Sequence, residues 1–495
     1  MGFLHQVILE QWQVSRISLL GWLGLLAGCC CAAAVVYALC FDPLRDFPGP
    51  VSAKFSRLPY WFMVFRGLEV KWMQRLHQKY GPVVRFAPTE LSFCDGHAWR
   101  EIYLREKGRE ENIKDTRISP LYSGSVPPIG LTSDEDHARV RRLLAPAFSE
   151  RALKLQEPLF QHYADTMLAK IAESAAVNEG VDMVKMFNYT TFDIMAQLVF
   201  GENLGLLDKQ EYTGWVKSFI EMLPLFPLLQ FINHYPWLKR ALERVKPKSV
   251  EKRERSFFEY SVQAVDRRMK ANPEQPDVWS LVLEGLSIEE MHANAMFFMI
   301  AGSETTATLL SGLTYLLLQN PDKLLRLTSE VRRAFDTRED ITIERLATLD
   351  YLNACISEAL RCYPPLPIGL PRLTPAGGNT VMGRYIPGNV AISVHHGATY
   401  TSEINFKDPH KFVPERWLGD PEYSTDNHYA LQPFILGPRN CLGQAMAHFE
   451  MRLLFAKFIY SFDFELATPC EDWMDQRAFV VWQKKPLICK TTLRS

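Results

Sequence analysis

The stretch of this 495-residue sequence that decides the fold is Phe434-Ile435-Leu436-Gly437-Pro438-Arg439-Asn440-Cys441-Leu442-Gly443. Apolar side chains recur at helical spacing after it, which predicts that Cys441 lies at or just before a helix N-terminus. Free N–H groups and the helix dipole favour a thiolate there, the form of cysteine that binds metals. Gly437 and Gly443 permit tight turns and the close approach of a flat ligand. Arg439 offers a fixed positive charge to an anionic group, so the stretch indicates a metal-containing cofactor site.

This spacing, Phe-x-x-Gly-x-Arg-x-Cys-x-Gly, resembles the haem-binding loop of the cytochrome P450 monooxygenases. A lone cysteine is usually a small core residue, but five matched positions arise by chance about once in ten thousand chains of this size. The resemblance implies haem b (iron protoporphyrin IX), with the Cys441 thiolate as axial ligand to the iron. It also implies that Phe434, Arg439 and Gly443 contact the cofactor. The implied fold is mainly α with small β-sheets.

A long helix is predicted from Ile288 to about Gln319. Ser287 followed by Glu290 forms a capping box at its start, and Asn320-Pro321 ends it. Its middle carries the polar patch Ala301-Gly302-Ser303-Glu304-Thr305-Thr306. Glycine and side-chain hydroxyl groups destabilise an α-helix, so we expect that the helix can bulge or admit a water at this patch. Taken in isolation, a slightly imperfect buried helix explains the patch equally well.

The patch also resembles the Ala/Gly-Gly-x-Asp/Glu-Thr-Thr element of the same family, which lies over the distal face of the haem. The resemblance implies proton delivery to dioxygen, since a hydroxyl beside a carboxylate can hold water and relay protons. We predict that Thr305 supplies the hydroxyl and Glu304 the acid.

Glu358 and Arg361 lie three residues apart on a predicted helix from Asp350 to Cys362, which Pro364-Pro365 terminates. As an exposed pair they would contribute only a few tenths of a kcal/mol. The resemblance implies instead that the pair is buried and joined by Arg416 of a Pro-Glu-Arg segment. We therefore predict a structural role for these three residues.

Haem carries two propionates, which need cationic partners. His137 and Arg141 occupy the place of a Trp-x-x-x-Arg pair in the resembled family, with histidine instead of tryptophan. Imidazole also hydrogen-bonds carboxylates. Arg372 resembles the propionate-binding arginine of the strand that follows the Glu-x-x-Arg helix. These three residues and Arg439 are the predicted propionate ligands.

The N-terminal region contains 25 residues, Ile17 to Phe41, with no Asp, Glu, Lys, Arg or His. That length is enough to cross a hydrocarbon core of about 30 Å. A cleavable signal peptide, the alternative, has an apolar region of only about 7–15 residues. More basic residues follow the span than precede it, which places the large C-terminal part in the cytoplasm. Free cysteines are expected in that reducing compartment, although the cysteine count is even.

We predict a short N-terminal segment (1–16), a transmembrane anchor (17–41), a proline-rich hinge (42–50) and one domain (51–495). Strands are predicted at Val83 to Phe86, Leu91 to Cys94, Thr380 to Met382 and Val390 to Val394. Residues 222–238 contain no acidic, lysine or arginine side chain but three prolines. Their composition fits a surface loop that dips into the membrane interface, or ordinary core packing.

The net charge is 55 − 56 = −1, which argues against a sequence-independent nucleic-acid binder. The segment from Leu131 to Leu153 resembles filamentous-fungal members of the family in secondary-metabolite pathways, such as the trichothecene hydroxylase group. The resemblance implies a monooxygenase that hydroxylates or epoxidises a lipophilic terpenoid or polyketide. Substrate contacts are expected in residues 105–130, 205–245 and 368–370.

The expected partners are dioxygen, the endoplasmic reticulum membrane and NADPH-cytochrome P450 reductase, with cytochrome b5 as a second electron donor. A separate reductase is expected because no Gly-x-Gly-x-x-Gly element follows a strand. Two alternatives remain open: a haem-thiolate isomerase or dehydratase that needs no reductase, and a catalytically silent, membrane-tethered haem-binding protein.

Overall fold

The computed structural model describes residues 21–494, apart from 23, 27, 31, 119–125, 178, 246–247, 272–275, 283 and 469–471. Side chains at 243 and 245–257 are also outside the description. The predicted N-terminal segment 1–16 and the first four residues of the predicted anchor therefore lie outside the described residues.

Helices dominate the described chain, as predicted. The α-helices are α1 (Leu58–Phe65), α2 (Glu69–Tyr80), α3 (Ala98–Tyr103), α4 (Asp134–Leu144), α5 (Glu150–Ala176), α6 (Met183–Phe200), α7 (Leu206–Lys209), α8 (Gly214–Met222), α9 (Phe226–His234), α10 (Pro236–Val245), α11 (Lys248–Lys270), α12 (Ile288–Leu318), α13 (Pro321–Ala334), α14 (Ile343–Ala347), α15 (Asp350–Cys362), α16 (His396–Tyr400) and α17 (Gln444–Ser461).

The strands are short and form small sheets. They are β1 (Val83–Ala87), β2 (Glu90–Phe93), β3 (Ile113–Lys114), β4 (Val181–Asp182), β5 (Arg372–Leu373), β6 (Asn379–Val381), β7 (Arg384–Ile386), β8 (Ala391–Val394), β9 (Phe462–Leu466), β10 (Arg477–Phe479), β11 (Val481–Gln483) and β12 (Ile488–Leu493). One sheet has the order β1-β2-β8-β5-β3 and another β4-β12-β9, while β6-β7 and β10-β11 pair separately. All four predicted strands are present within one residue, and the predicted fold class is confirmed.

Helix α12 runs from Ile288 to Leu318, and the reciprocal Ser287–Glu290 capping box is present at its start. The backbone stays α-helical through the polar patch, so the expected bulge is absent from this described helix. The Thr305 hydroxyl donates instead to the Ala301 carbonyl, one turn earlier, at 2.7 Å. A Cβ at Gly302 would lie 2.6 Å from Sδ of Met195 on α6, so glycine allows the two helices to pack closely.

The prolines of residues 222–238 lie in helices, so the prediction of a loop there was wrong. Pro224 and Pro227 occupy the first or second position of a 3₁₀-helix (Leu223–Leu225) and of α9. Pro236 is the first residue of α10. A helix start needs no N–H donor at these positions, so proline begins a helix there rather than breaking one.

Two helical stretches are long and apolar enough to cross a membrane, among the described residues. Gly24–Phe41 has a mean hydropathy of 2.2 and is only 6% buried, as expected of an anchor. Gly214–His234 has a mean hydropathy of 1.3 and is one third buried. The second stretch consists of separate helical segments, and its α9 packs against α1 through the contact between Phe231 and Trp61. It is therefore part of the folded body.

The hinge segment 42–50 is fixed against strand β1. Asp42 forms a buried ion pair with Arg85, and the Arg85 N–H donates to the Pro48 carbonyl at 2.7 Å. Leu44 and Phe47 are buried in the core around the main sheet. A Cβ at Gly49 would lie 2.1 Å from the Arg85 carbonyl oxygen, so only glycine fits this approach.

We expect Gly49→Ala to lower the melting temperature of the full chain, because the methyl group must push the hinge away from β1. Overpacking of this kind costs about 1–3 kcal/mol. Gly377→Ala is the matched control, since a Cβ there meets nothing within 4 Å. Thermal unfolding of both variants checks this, and equal melting temperatures would show that the hinge is not tightly docked.

Candidate functional site

The loop that bears Cys441 is closed by its own backbone. The Cys441 N–H donates to the Phe434 carbonyl at 2.9 Å, and the Asn440 N–H donates to the Gly437 carbonyl at 3.0 Å. Gly437 has a φ of +81° and a Cβ there would lie 2.0 Å from the Tyr103 carbonyl oxygen, so glycine is required at this turn. Helix α17 begins three residues after Cys441, at Gln444, as the apolar spacing predicted.

Arg141 holds this loop from the side of α4. Its guanidinium donates to the Asn440 carbonyl at 2.6 Å and to the Asn440 side-chain oxygen at 2.7 Å. Two parallel bonds from a planar guanidinium fix direction as well as distance. Arg141 therefore positions the residue directly before Cys441.

A cavity of about 330 Å³ lies between this loop and helix α12, within the range typical of small-molecule sites. Cys441 and Gly443 line it from the loop, and Ala301, Thr305 and Thr306 line it from the helix. The Cys441 side chain is exposed, and since it lines this cavity its exposure is toward the interior. The two sequence motifs, about 130 residues apart, thus face one enclosed space.

Burial raises the pKa of the Cys441 thiol above its ordinary value, and this outweighs the hydrogen bond from the Gly443 backbone and the charge of Arg141. A bound cation inverts this balance, because a coordinated thiol is deprotonated outright.

Six basic residues line the same cavity: Lys114, His137, Arg141, Arg372, His396 and Arg439. Burial and the closeness of these positive groups lower the pKa of two of them. Burial, then the charges of Arg372 and Arg439, lowers the pKa of Lys114 to about 7. Burial, then Arg439 and Arg141, lowers the pKa of His137 to about 4. A cluster of this kind favours an anionic ligand, which would relieve the repulsion.

Arg439 has one hydrogen-bonding group to spare for such a ligand. Its Nε donates to Asp134 Oδ1 and its Nη2 to the Thr132 carbonyl, both at 2.7 Å. Its Nη1 is buried and has no partner among the described residues. A buried donor without a partner costs about 1–3 kcal/mol, so this atom fits a cofactor carboxylate. Arg372 is buried, with its guanidinium 5.1 Å from the centre of the Tyr103 ring.

Haem b therefore fits the residues present: a cavity-facing thiol, glycines beside it, and a basic edge with an unpartnered guanidinium nitrogen. Sequence reasoning found Cys441, His137, Arg141, Arg372 and Arg439, and the structure brings them to one cavity. Phe434 also lines it. Lys114 was missed, since it belongs to no motif.

Of the two predicted residues for proton delivery, only Thr305 faces the cavity. Glu304 is buried, and its carboxylate forms an ion pair with Lys484, whose ammonium also donates to Thr308 at 2.8 Å. Glu304 is not among the described residues that line the cavity. The ion pair with Lys484 therefore holds the Glu304 carboxylate away from the cavity.

The three predicted structural residues meet with no solvent exposure. Arg361 donates to both Glu358 oxygens, at 2.7 and 2.9 Å, and Arg416 donates to Oε1 at 3.0 Å. The Trp417 indole N–H adds a bond to Oε2 at 2.9 Å. Burial would raise the pKa of Glu358, but the charges of Arg361 and Arg416 lower it below its ordinary value. The carboxylate is thus charged and fully paired.

This group is connected to the cysteine loop through Tyr400. Arg361 Nη1 donates to the Tyr400 carbonyl at 2.9 Å, and the Tyr400 hydroxyl accepts the Gln432 N–H at 3.1 Å. Gln432 lies two residues before Phe434, where the loop begins. The ion-pair cluster therefore holds the chain that leads into the loop.

The fold and this site define a cytochrome P450. The family model described as "Cytochrome P450" matches residues 56–490, and the chain belongs to this family. Membership implies a haem-thiolate cofactor.

Among curated relatives, "Cytochrome P450 monooxygenase efuB" of Hormonema carpetanum is 43% identical over 92% of each chain. "Cytochrome P450 monooxygenase FUM2" of Gibberella moniliformis is 43% identical over 92% of this chain and 99% of its own. "Averantin hydroxylase" of Dothistroma septosporum is 37% identical over 92% of this chain and 87% of its own. The chain is thus similar over nearly its whole length to fungal monooxygenases.

We expect Glu358→Gln to destabilise the protein strongly, because two buried guanidinium groups lose their shared counter-charge. Removing one partner of a buried ion pair costs about 3–5 kcal/mol. The exposed pair of Glu344 with Lys154 supplies the control, Glu344→Gln, which should unfold at the wild-type temperature. Thermal unfolding and haem content report the result, and a Glu358→Gln protein as stable as wild type would remove the structural role.

Proposed function

We propose that this protein is a monooxygenase in which Cys441 is the axial ligand of haem b. One atom of dioxygen would enter a lipophilic small molecule of fungal secondary metabolism, a terpenoid or a polyketide, by hydroxylation or epoxidation. The observation that carries the proposal is the single cavity that joins the Cys441 thiol, an unpartnered Arg439 nitrogen and the Thr305 hydroxyl. A thiol alone, or a basic pocket alone, would fit many other sites.

The residues have separate tasks in this proposal. A thiolate-bound haem supplies the activation of dioxygen when it is present. Cys441 holds the iron, and the basic edge of Lys114, His137, Arg372 and Arg439 binds the two propionates. Arg141 orients the Cys441 loop through Asn440. Each contact fixes the cofactor in one position relative to helix α12.

Proton supply is the main chemical task left to the protein. The overall reaction consumes one dioxygen, one NADPH and one proton for each oxygen atom inserted, and it releases one water. The Thr305 hydroxyl faces the cavity and holds a water there, in our proposal. Glu304 acts as an acid only when it leaves Lys484, because their ion pair directs its carboxylate away from the cavity.

The apolar part of the cavity supports a lipophilic substrate. Phe148, Phe297 and Phe298 contribute aromatic rings to its wall, and Ile129 and Leu370 add aliphatic groups. Ile129 and Leu370 belong to two of the predicted substrate-contact regions. None of the described residues in the third region, 205–245, lines the cavity.

We place the protein on the endoplasmic reticulum membrane, facing the cytoplasm, with its anchor in Gly24–Phe41. Helices α1 and α9 pack together through Trp61 and Phe231, with ring centres 5.3 Å apart. Leu58, Phe62 and Leu228 remain exposed on these two helices. This apolar surface supports the proposal that residues 222–238 reach the membrane interface. NADPH-cytochrome P450 reductase on the same membrane, with cytochrome b5 as a second donor, supplies electrons.

We expect Cys441→Ser to abolish the Soret band that thiolate ligation gives the carbon monoxide complex, because a serine hydroxyl does not replace a thiolate. The reduced, carbon monoxide-treated full chain is measured by difference spectroscopy. Cys40→Ser is the control, since Cys40 is exposed in the anchor region. A retained thiolate band in Cys441→Ser would assign the ligand to another residue.

We expect Thr305→Ala to raise the hydrogen peroxide released per NADPH severalfold, because dioxygen is reduced without the proton supply that coupling needs. The assay uses the full chain with reductase in membranes. Thr314→Ala is the matched control: Thr314 lies on the same helix and its hydroxyl also bonds a carbonyl one turn earlier, that of Leu310, but it lies outside the cavity. Equal peroxide yields from the two variants would exclude Thr305 from the relay.

A further inference from the structure

A second, smaller cavity lies beside the one that contains Cys441, and the proposed function gives it no role. Its volume of about 50 Å³ is larger than one water molecule needs. Ala391 and Ser393 of β8 line it from the main sheet, Trp61 lines it from α1 and His234 from α9. Pro371 lines both cavities, so they meet just before strand β5.

His395 presents a hydrogen-bond donor to this second cavity. Its Nδ1 accepts the Ala398 N–H at 3.2 Å and caps helix α16. Burial lowers the pKa of His395 well below its ordinary value, so the ring is neutral and its one proton lies on Nε2. This Nε2 is buried and has no hydrogen-bond partner among the described residues. The Glu69 Oε1 atom, at 3.9 Å, is beyond hydrogen-bonding distance.

Arg57, which directly precedes α1, presents a second donor. It forms an ion pair with Glu90 of β2, and its Nη1 lies 3.4 Å from Nε2 of His234. The Nε of Arg57 is buried and lacks a partner within the described part of the chain. Arg57 and His395 both line the second cavity. A buried donor without an acceptor destabilises a fold, so this cavity suits a ligand that supplies an acceptor.

The charges around the second cavity are balanced, which favours a neutral acceptor over an anion. Arg57 is paired with Glu90, and Arg117 donates two hydrogen bonds to Asp115, at 2.9 and 2.7 Å. Burial raises the pKa of Glu69 to about 7, and the charged form of that carboxyl group would repel an anion. A bound carboxylate would thus be buried without a counter-charge. A hydroxyl or carbonyl oxygen accepts the same hydrogen bonds without that cost.

The walls of the two cavities are continuous along two stretches of chain. Lys114 lines the Cys441 cavity and its neighbour Asp115 lines the second cavity. In the same way, Leu370 lines the first and Gly369 the second, next to the shared Pro371. A molecule that lies in the Cys441 cavity therefore has the second cavity directly beside it.

We propose that the second cavity is a substrate subsite, in which Arg57 Nε and His395 Nε2 donate to one neutral oxygen of the substrate, a hydroxyl or a carbonyl. The apolar remainder of the substrate lies in the Cys441 cavity. This inference rests on the proposed monooxygenase function and narrows its substrate class to lipophilic molecules that carry such an oxygen away from the oxidised carbon. The held oxygen fixes the position of the molecule, and with it the carbon that is oxidised.

The test compares straight-chain probes that differ only in the oxygen. Primary alcohols from decanol to hexadecanol are each paired with the alkane of the same length. Binding to the haem-loaded full chain is measured by the change in the Soret band. We expect at least one alcohol to bind about tenfold more tightly than its alkane, the factor that a single hydrogen bond contributes. Equal affinities within every pair would show that the second cavity holds only water, and would overturn the inference.

Two variants assign the preference to this cavity. His395→Asn removes the Nε2 donor but keeps a side-chain oxygen that can cap α16. Ala391→Leu fills the cavity from β8. Each should abolish the preference for the alcohol and leave the affinity for the alkane unchanged. The matched control is His97→Asn, since His97 also precedes a helix, α3, but is exposed and outside both cavities.

A preference that persists in either haem-loaded variant contradicts the inference. If His395→Asn does not load haem, Ala391→Leu decides alone. Hexadecanoate that binds more tightly than hexadecanol in wild type, but not in His395→Asn, would show an anion site and contradict the neutral acceptor.

The carbon monoxide band is recorded before each titration, which separates this inference from the proposed function. If wild type has the thiolate band and no preference for any alcohol, the inference fails while the proposed function stands. If wild type lacks the band, the proposed function fails and the inference fails with it.

Discussion

The rest of the site depends on one set of interactions, the ion pairs and hydrogen bonds made to the Glu358 carboxylate. It is fully buried and accepts bonds from Arg361, Arg416 and Trp417. Three buried charges would destabilise a core if any were unpaired, so each has to keep its place. Arg361 holds the carbonyl of Tyr400, at the end of α16, and two carbonyls of the chain that follows, those of Pro409 and Lys411. The ion-pair cluster therefore fixes this stretch, which leads to the cysteine loop with short 3₁₀-helices and no β-strand among its described residues.

The cavity has two walls of different character because the two motifs contribute different chemistry. The loop contributes a thiol and Arg439, and β3, α4 and β5 complete the basic edge, while α12 contributes small residues, hydroxyls and two phenylalanine rings. Burial, and after it repulsion among the basic groups, lowers the pKa of both Lys114 and His137. The protein thus stores an unfavourable charge arrangement that a dianionic cofactor relieves. In the proposed haem complex, this relief would add to the affinity that a bond between Cys441 and the iron supplies.

Sequence reasoning predicted the elements that depend on local signals. The capping box at Ser287 and Glu290 and the four predicted strands depend on residues that are close together in the sequence. Their positions were therefore correct to about one residue. The direction in which the Glu304 side chain points depends on its ion pair with Lys484, 180 residues away. No local sequence pattern predicts such a contact. Glu450 of α17 is buried and lines the cavity, and sequence reasoning missed it. It lies four residues after Met446 on an apolar stripe, and an acid on a buried stripe was a signal that could have been used. The three prolines of 222–238 led to the wrong prediction of a loop, because proline occurs both in the first turn of a helix and where a helix is broken.

The docked hinge would fix the orientation in which the domain meets molecules in the membrane. Segment 42–50 is bound to β1 by the Asp42–Arg85 pair and by the close approach at Gly49. With the membrane anchor that we propose, a domain docked in this way would keep its cavity at one height above the bilayer. Lipophilic molecules dissolved in that bilayer would then reach the domain by diffusion in two dimensions. A redox partner anchored in the same membrane would reach it by rotation about a single axis.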